Sequence, residues 1–330
     1  ELQHLSGELL DRVFQATASV ALVGEDLDLR SLSLDSDGNL LQASGQLSPR
    51  RIALDWQLGG SNPAALLAGA GGSLDGSGTV WGTPEQPAVE ASLKGRNLSL
   101  DGLSAPVLDI VLQAGLGAEQ PLSVDLALGP VQDGDEVLLE AANLKIRGKN
   151  ADHRLQADLQ TQPASLQLKM EGGLNEELNA WSGQLKQLGA AIADFGNWQL
   201  QRDASLQLAA DDVVLGEACL RETADASRVC MRGDWSQAAG GILAASLEGL
   251  PMRRLAPDLE ADLSGQLAAS IAVDGALGAR ASFAMSPGTL RVVLEQGVKR
   301  LSHGGAEVEM LVGADGLDAD IRFEAPQQGL

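Results

Sequence analysis

Apolar and polar residues alternate along most of the chain. Between residues 52 and 58, Ile52, Leu54, Trp56 and Leu58 alternate with polar or small residues. Successive side chains of a β-strand point to opposite faces of a sheet, so this pattern predicts strands with one apolar and one polar face. Buried parallel strands are apolar throughout, so the alternation favours an antiparallel all-β fold. The same period recurs at Leu122, Val124, Leu126 and Leu128, at Leu166, Leu168 and Met170, at Leu206 and Leu208, at Leu267, Ala269, Ile271 and Val273, at Leu290, Val292 and Leu294, and at Leu317, Ala319, Ile321 and Phe323.

Turn signals between the strands indicate how the sheet is connected. The sequences DSDGN at 35–39 and QDGDE at 132–136 each contain the Asp-Gly pair that tight hairpins favour. Such short connections join antiparallel neighbours. No Pro/Ser-rich linker or block of charge divides the chain, so we expect one continuous elongated body over residues 1–330. Loose similarity between segments divides that body into modules at 1–105, 106–180, 181–260 and 261–330.

Three segments predict helices in this strand-rich chain. Residues 1 to 16 place Leu2, Leu5, Leu9 and Val13 at helical spacing, which predicts an N-terminal helix. The segment 61–69 has Asn62 as a candidate cap before Pro63, so a short helix is expected there. Residues 250–257 form the third candidate. The predicted fold is therefore mainly sheet with a few short crossover helices.

Charge and composition narrow the class of protein. Hydrophobic residues make up 44 % of the chain, which is enough for a sizeable core and too much for a disordered protein. The formal net charge is −22. A surface this acidic repels phosphates, so we exclude nucleic acid as a general partner. No run of 18 apolar residues is present, so we expect no segment of this sequence to span a bilayer as a helix. Because the chain begins at Glu1, we expect it to be a piece of a longer protein whose anchoring segment lies elsewhere.

The two cysteines, Cys219 and Cys230, are eleven positions apart. Two strands of a hairpin would place them opposite each other, joined by a polar loop. In an oxidising compartment the pair would form a disulfide, whereas elsewhere two unrelated buried thiols would remain. With three histidines in the chain, none near this pair, a structural zinc site is not expected.

Other candidate chemistry finds little support in the sequence. The DSDGN stretch lacks the acidic ligand that a calcium loop needs at its twelfth position, where Gln46 stands. His303 lies in an HGG sequence, but the chain contains no G-x-S-x-G nucleophile motif. His153 lies on an alternating strand, and the adjacent Asp211 and Asp212 are typical of a solvated turn. We therefore predict no enzymatic activity, no catalytic residues, no metal and no cofactor.

A sheet with one apolar face must cover that face. A second sheet could pack on it to form a sandwich. Alternatively, the sheet could curl around an apolar guest that is not protein. The apolar positions are mostly Leu, Val, Ile and Ala, so they would form a lining suited to acyl chains. The pattern leaves both solutions open.

An ordered set of motifs between residues 181 and 275 resembles the TamB family of Gram-negative bacteria. It consists of a W-x-G strand at Trp181, a W-x-L strand at Trp198, the cysteine pair, and a leucine-rich crossover with the sequence LEGLPMRRLAP. The strand LSGQLAASIAVDG then follows. The segment 144–159, with His153 in an H-x-L position, is similar to the family's strand pair before this block.

This resemblance implies a fold, a place in the cell and a function. The family's fold is a long curled antiparallel sheet, the β-taco, with a hydrophobic groove. The chain would be part of the periplasmic body of a protein anchored in the inner membrane, and would shield phospholipid in transit to the outer membrane. The alternative is a scaffold that templates the strands of outer-membrane proteins with the barrel protein TamA, without carrying lipid. TamA and phospholipid are thus the expected partners.

The resemblance also assigns roles to residues. Cys219 and Cys230 would form a structural disulfide. The expected groove lining is Leu54, Trp56, Leu58, Val124, Leu126, Leu128, Leu166, Leu168, Met170, Leu206, Leu208, Ile271, Val273, Ile321 and Phe323.

Overall fold

The computed structural model describes residues 2–9, 12–60, 62–65, 69–225, 227–272, 277–294, 297–313 and 316–324. Strands hold 78 % of the chain and helices 2 %, and the strand pairs are antiparallel. The all-β antiparallel fold class predicted from the alternation is therefore confirmed. Contacts divide the chain into two units. The N-unit comprises Glu1–Gln167 and Glu171–Leu178, and the C-unit comprises Leu168–Met170 and Asn179–Leu330. The expected division into four modules stays a prediction.

The N-unit is built from strands that follow one another in space as they do along the chain. Each strand from β1 to β9 pairs with the next, β9 pairs with β12, and β12 pairs with β13. The hairpin β10–β11 pairs through β10 with the first two residues of β8. The strands are β1 (Leu2–Leu9), β2 (Arg12–Val23), β3 (Asp26–Ser36), β4 (Asn39–Ser48), β5 (Arg51–Gly60), β6 (Gly71–Gly82), β7 (Pro87–Leu100), β8 (Leu103–Gly115), β9 (Pro121–Leu128), β10 (Val131–Asp133), β11 (Glu136–Leu139), β12 (Ala141–Lys149) and β13 (Asp152–Gln160). Residues of β14 (Ala164–Leu174) are divided between the two units.

The C-unit contains a larger and a smaller sheet. In the larger sheet, β15 and β18 each pair with both β16 and β17, and pairing then runs β18–β19–β20–β22–β23–β26–β27. The smaller sheet has β24 between β21 and β25. The strands are β15 (Ala180–Ile192), β16 (Gly196–Leu200), β17 (Ala204–Ala209), β18 (Asp212–Glu222), β19 (Arg228–Ser236), β20 (Gly240–Pro251), β21 (Leu259–Glu260), β22 (Asp262–Ile271), β23 (Leu277–Met285), β24 (Gly288–Leu294), β25 (Gly297–His303), β26 (Gly305–Gly313) and β27 (Gly316–Glu324).

The predicted helix over residues 1–16 is wrong, because β1 and β2 occupy this segment. Beyond Val13 the sequence alternates, and Ala16 and Ala18 register against Leu34 and Leu32 of β3. Pairing of β1 with β2 and of β2 with β3 satisfies the backbone and places Ala16 and Ala18 on one face, which outweighs the helical spacing of the first leucines.

The other two predicted helices are reduced to single 3-10 turns. They span Pro63–Ala65 and Met252–Arg254, while residues 61 and 66–68 lie outside the described part of the chain. Both predicted hairpin turns are confirmed. In the first, Ser36 registers with Asn39 across Asp37 and Gly38, whose φ angles of 56° and 85° match the turn that Asp-Gly favours.

Candidate functional site

Cross-strand register aligns apolar side chains over one face of the N-unit. Residues directly opposite each other on antiparallel strands project to the same face. Leu126, for example, lies between Ile110 of β8 and Leu144 of β12. One row across the sheet is Leu34, Leu41, Leu58, Gly76, Leu93, Ile110, Leu126, Leu144 and Ala157; the next is Leu32, Ala43, Trp56, Gly78, Ala91, Leu112, Val124, Ile146 and Leu155. These two rows define the N-unit apolar face, on which the predicted Leu54 and Leu128 also lie.

No second layer of protein encloses this face among the described residues of the N-unit. The leucines, isoleucines and valines of both rows are half-buried, and the buried apolar side chains of the unit are alanines. The alanines in question are Ala16, Ala88, Ala91 and Ala142. In a sandwich, the inner side chains of two sheets interdigitate and become enclosed. The burial pattern therefore favours an open apolar face over a sandwich.

Trp56 is the one aromatic side chain in the two rows, and it lies over glycines of the neighbouring strand. A Cβ atom built on Gly78 would come within 2.9 Å of Trp56 Cζ2, and one built on Gly76 within 3.3 Å of Cζ3. The two glycines of β6 thus leave room for the indole ring to lie flat on the sheet. A ring in this position keeps the apolar face smooth.

The C-unit carries a corresponding apolar face. The predicted Leu206 registers with Leu215. One row of cross-strand partners begins at the predicted Leu208 and ends at the predicted Ile271; its members in order are Leu208, Val213, Trp235, Gly241 and Ile271. Further along, rows of partners cross the sheet to Ile321 and Phe323 on β27. Two such rows are Leu243, Ala269, Ala279, Val312 and Leu317, and Met231, Ala245, Leu267, Ala281, Met310 and Ala319. Together with the row of Leu208, they define the C-unit apolar face.

Exposure of the predicted lining residues varies with their position in the sheet. Leu208 is 38 % exposed and Ile271 45 %, while Phe323 on β27 is 79 % exposed. Among the described residues, β27 pairs with β26 alone, so its side chains lack neighbours on one side. On β14, Leu166 and Leu168 are half-buried and Met170 is buried. Val273 lies outside the described residues.

Polar side chains cover the other face of the N-unit. Gln57, Ser77 and Ser92 occupy one row, and ion pairs join strands further along. Asp109 pairs with Arg96 at 3.5 Å, Asp125 pairs with Arg147, and Glu171 pairs with Arg154 at 3.0 Å. Each of these pairs is well exposed, so each contributes little to stability. The two faces thus differ in polarity as the alternation predicts.

The structure joins Cys219 and Cys230 in a disulfide, as predicted. The two residues are direct partners across β18 and β19, with their Cα atoms 4.0 Å apart. Their neighbours Ala218 and Met231 form the preceding pair, and Met231 lies on the C-unit apolar face. Because adjacent residues of a strand project to opposite faces, the disulfide lies on the polar side of the sheet and does not line the apolar face.

We expect loss of this disulfide to lower the free energy of unfolding by about 2–3 kcal/mol, because the bridge closes a short loop in the unfolded chain. The double variant Cys219→Ser/Cys230→Ser should show the loss in urea denaturation. Reduction of the native chain should reproduce it, and a reductant should not affect the variant. An unchanged midpoint in the double variant would contradict this expectation.

A buried network of charged groups closes the disulfide hairpin, and sequence reasoning missed it. The Glu222 side chain is 1 % exposed, Asp225 11 % and Arg254 14 %. Arg254 donates from Nη2 to Asp225 Oδ2 at 2.7 Å and lies 3.3 Å from Glu222 Oε2. Ser227 donates from its backbone N–H and hydroxyl to Asp225 Oδ1. The network therefore fastens the hairpin loop to the 3-10 turn at Met252–Arg254.

Backbone donors hold Glu222 ionised. Burial raises the pKa of Glu222, but N–H groups of Asp225, Asn197 and Ala224 donate to its carboxylate and bring the pKa below the ordinary value. Burial likewise raises the pKa of Asp225, and hydrogen bonds from Ser227 and Arg254 outweigh it. Both carboxylates therefore favour the folded state in their charged form.

The lowered pKa values predict acid sensitivity of the C-unit. The ordinary values are 4.5 for Glu222 and 3.8 for Asp225, and both are lower in the folded chain. Their contribution to stability is therefore complete above about pH 4.5 and is lost as the pH falls through the folded-state values. The urea midpoint of unfolding, measured between pH 3 and 7, should fall as the pH is lowered. In Glu222→Gln the midpoint should depend less steeply on pH. Equal slopes for the two proteins would contradict the assignment.

His153, Asp211 and Asp212 behave as ordinary structural residues. His153 is buried, with Nδ1 3.0 Å from the Lys149 carbonyl oxygen and 3.1 Å from that of Asn150. Asp211 and Asp212 are exposed where β18 begins, as predicted for a solvated turn. Within the described ranges, no group of three or more His, Cys, Asp or Glu side chains is placed to hold a metal ion. A search of the same residues finds no helix that could span a membrane.

Comparison with known families gives one match across nearly the whole chain. A family model described as TamB, N-terminal domain, matches residues 1–322. No solved structure matches the chain. The family match thus covers both units, including the two apolar faces and the disulfide hairpin.

Proposed function

The chain belongs to the TamB family, and we propose that it shields phospholipid acyl chains on its apolar faces during transport between the inner and outer membranes. In this proposal the chain acts in the periplasm, as part of a protein anchored in the inner membrane. TamA in the outer membrane is the expected protein partner. The chain has no catalytic role.

The observation that carries the proposal is the open aliphatic face of the N-unit. Its leucines, isoleucines and valines remain half-buried after all described protein contacts are made. Transfer of a methylene group from water to such a surface contributes about 0.8 kcal/mol. An acyl chain lying along the rows of Leu126 and Val124 would therefore gain binding energy with each carbon. Aliphatic side chains impose little geometry, which suits flexible chains.

Organic extraction of the purified, detergent-free chain tests the proposal. Mass spectrometry of the extract should detect phospholipid at about one molecule per chain or more. A stable chain that carries no lipid, and takes none from vesicles, would contradict the proposal.

A second candidate function is a scaffold that templates the strands of outer-membrane proteins without carrying lipid. An incoming strand would add to a strand edge by β-augmentation. Charged replacements on the N-unit apolar face distinguish the two functions. If the chain carries lipid, these replacements should abolish lipid transfer. If templating is the function, they should leave the assembly of outer-membrane strands intact.

A further inference from the structure

Two adjoining cavities lie on the polar side of the C-unit sheet, and the proposed function uses neither. One has a volume of about 850 Å³ and the other about 370 Å³. Both are bordered by one row of cross-strand partners that runs Arg232, Ala244, Ala268 and Arg280. Sites for small molecules commonly have volumes of about 300–1,000 Å³.

The two cavities differ in polarity. The larger cavity is lined by Val214, Ile242 and Leu311, and the last two side chains are 66 % and 50 % exposed. The smaller cavity is lined by Ser246, Gln266 and Ser282, which form one row of partners. An apolar half and a hydroxyl- and amide-lined half thus meet at the arginine row, which is the arrangement that an amphiphile requires.

The sheet surface between the two arginines carries only small side chains. Three strand spacings separate Arg232 from Arg280, or about 14 Å between their Cα atoms. The two positions between them are Ala244 and Ala268. Small side chains in the middle and long guanidinium side chains at the ends form a trough that is open to solvent.

The charge at this trough is opposite to that of the chain. The net charge of the chain is −22, yet neither Arg232 nor Arg280 forms an ion pair with a described carboxylate. Glu217 lines the smaller cavity, but it pairs with Arg202. Asp234 lines the larger cavity. Among the residues that line the two cavities, two guanidinium groups therefore stand against one carboxylate that forms no ion pair with a described residue. Guanidinium groups bind phosphate through paired hydrogen bonds.

We propose that this trough binds an amphiphile with one phosphate head group and one alkyl chain. The phosphate binds between Arg232 and Arg280, and the alkyl chain lies in the larger cavity against Ile242 and Leu311. The rest of the head group contacts Ser246 and Gln266 in the smaller cavity. The site lies on the opposite side of the sheet from the C-unit apolar face, so it does not depend on the proposed acyl-chain transport.

Calorimetric titration with octyl phosphate, below its micelle concentration, tests the proposal. Octyl phosphate should bind to the native chain, while octyl glucoside and inorganic phosphate should bind much more weakly. The variant Arg232→Gln/Arg280→Gln should lose about tenfold or more in affinity, because charge-assisted hydrogen bonds to phosphate are lost. Arg50→Gln, in the turn between β4 and β5, is the matched control and should bind as the native chain does.

A second variant keeps the charges and alters the shape. Ala268 is exposed, so Ala268→Leu should fold normally and fill the floor of the trough. It should weaken octyl phosphate binding with both arginines intact. Native affinity in both variants, or equal binding of octyl glucoside, would overturn the proposal. Because Leu126→Asp alters only the N-unit apolar face, native octyl phosphate affinity in that variant would separate this site from the acyl-chain surface.

Discussion

Replacing Leu126 by Asp should lower phospholipid binding to the chain by at least about tenfold. Leu126 is half-buried in the middle of the N-unit apolar face, between Ile110 and Leu144. Removal of the leucine takes away apolar contact, and the new carboxylate would have to lose water wherever an acyl chain covers it. Binding can be measured with fluorescent phospholipid supplied from vesicles.

The neighbouring residue supplies the control for this experiment. Ala127 is exposed and lies on the polar side of the same strand, so Ala127→Asp adds the same charge at nearly the same place. Circular dichroism should show that both variants keep their strand content. If Leu126→Asp binds lipid as well as Ala127→Asp does, the N-unit apolar face is not the binding surface.

Replacing Arg254 by Met should lower the free energy of unfolding of the C-unit by about 3–5 kcal/mol. The methionine keeps much of the apolar stem but leaves Glu222 and Asp225 buried without their cation. Removing one partner of a buried ion pair lowers the free energy of unfolding by about 3–5 kcal/mol, because the remaining charge stays buried without compensation. Urea denaturation gives the free energy, and hydrogen exchange at the amides of Ala224 and Asp225 locates the change.

Arg253→Met is the matched control for this effect. Arg253 lies on the same 3-10 turn, but its side chain is exposed and it forms no ion pair with a described carboxylate. Its replacement should change stability by less than about 0.5 kcal/mol. Equal effects of the two replacements would mean that the Glu222–Asp225–Arg254 network does not stabilise the hairpin.

Strands and their faces could be predicted from the sequence because the side-chain period of two is a local property. The pattern at Leu122–Leu128 was enough to identify β9 and the side of the sheet to which its leucines project. The hairpin turns followed from Asp-Gly pairs for the same reason. The position of the disulfide across a hairpin also followed from local spacing, together with the family resemblance.

Features that depend on pairing between distant segments could not be read in this way. The first sixteen residues show helical spacing, and they form strands because β1 pairs with β2 and β2 pairs with β3. Glu222 and Asp225 occur in a polar loop, and nothing in their surroundings in sequence indicates that Arg254 will cover them. The arginine trough likewise combines residues from β19 and β23. Such sites are set by sheet register and are visible only in three dimensions.

Site-specific photo-crosslinking tests the central claim most directly. A photoreactive residue at position 110, on the N-unit apolar face, is compared with one at position 111, which lies on the same strand and faces the polar side. Val111 is 51 % exposed and Ile110 is half-buried, so both positions are accessible to a ligand. Phospholipid should be captured at position 110 and not at 111. Equal capture at both positions, or capture at 111 alone, would contradict an acyl-chain surface on this face.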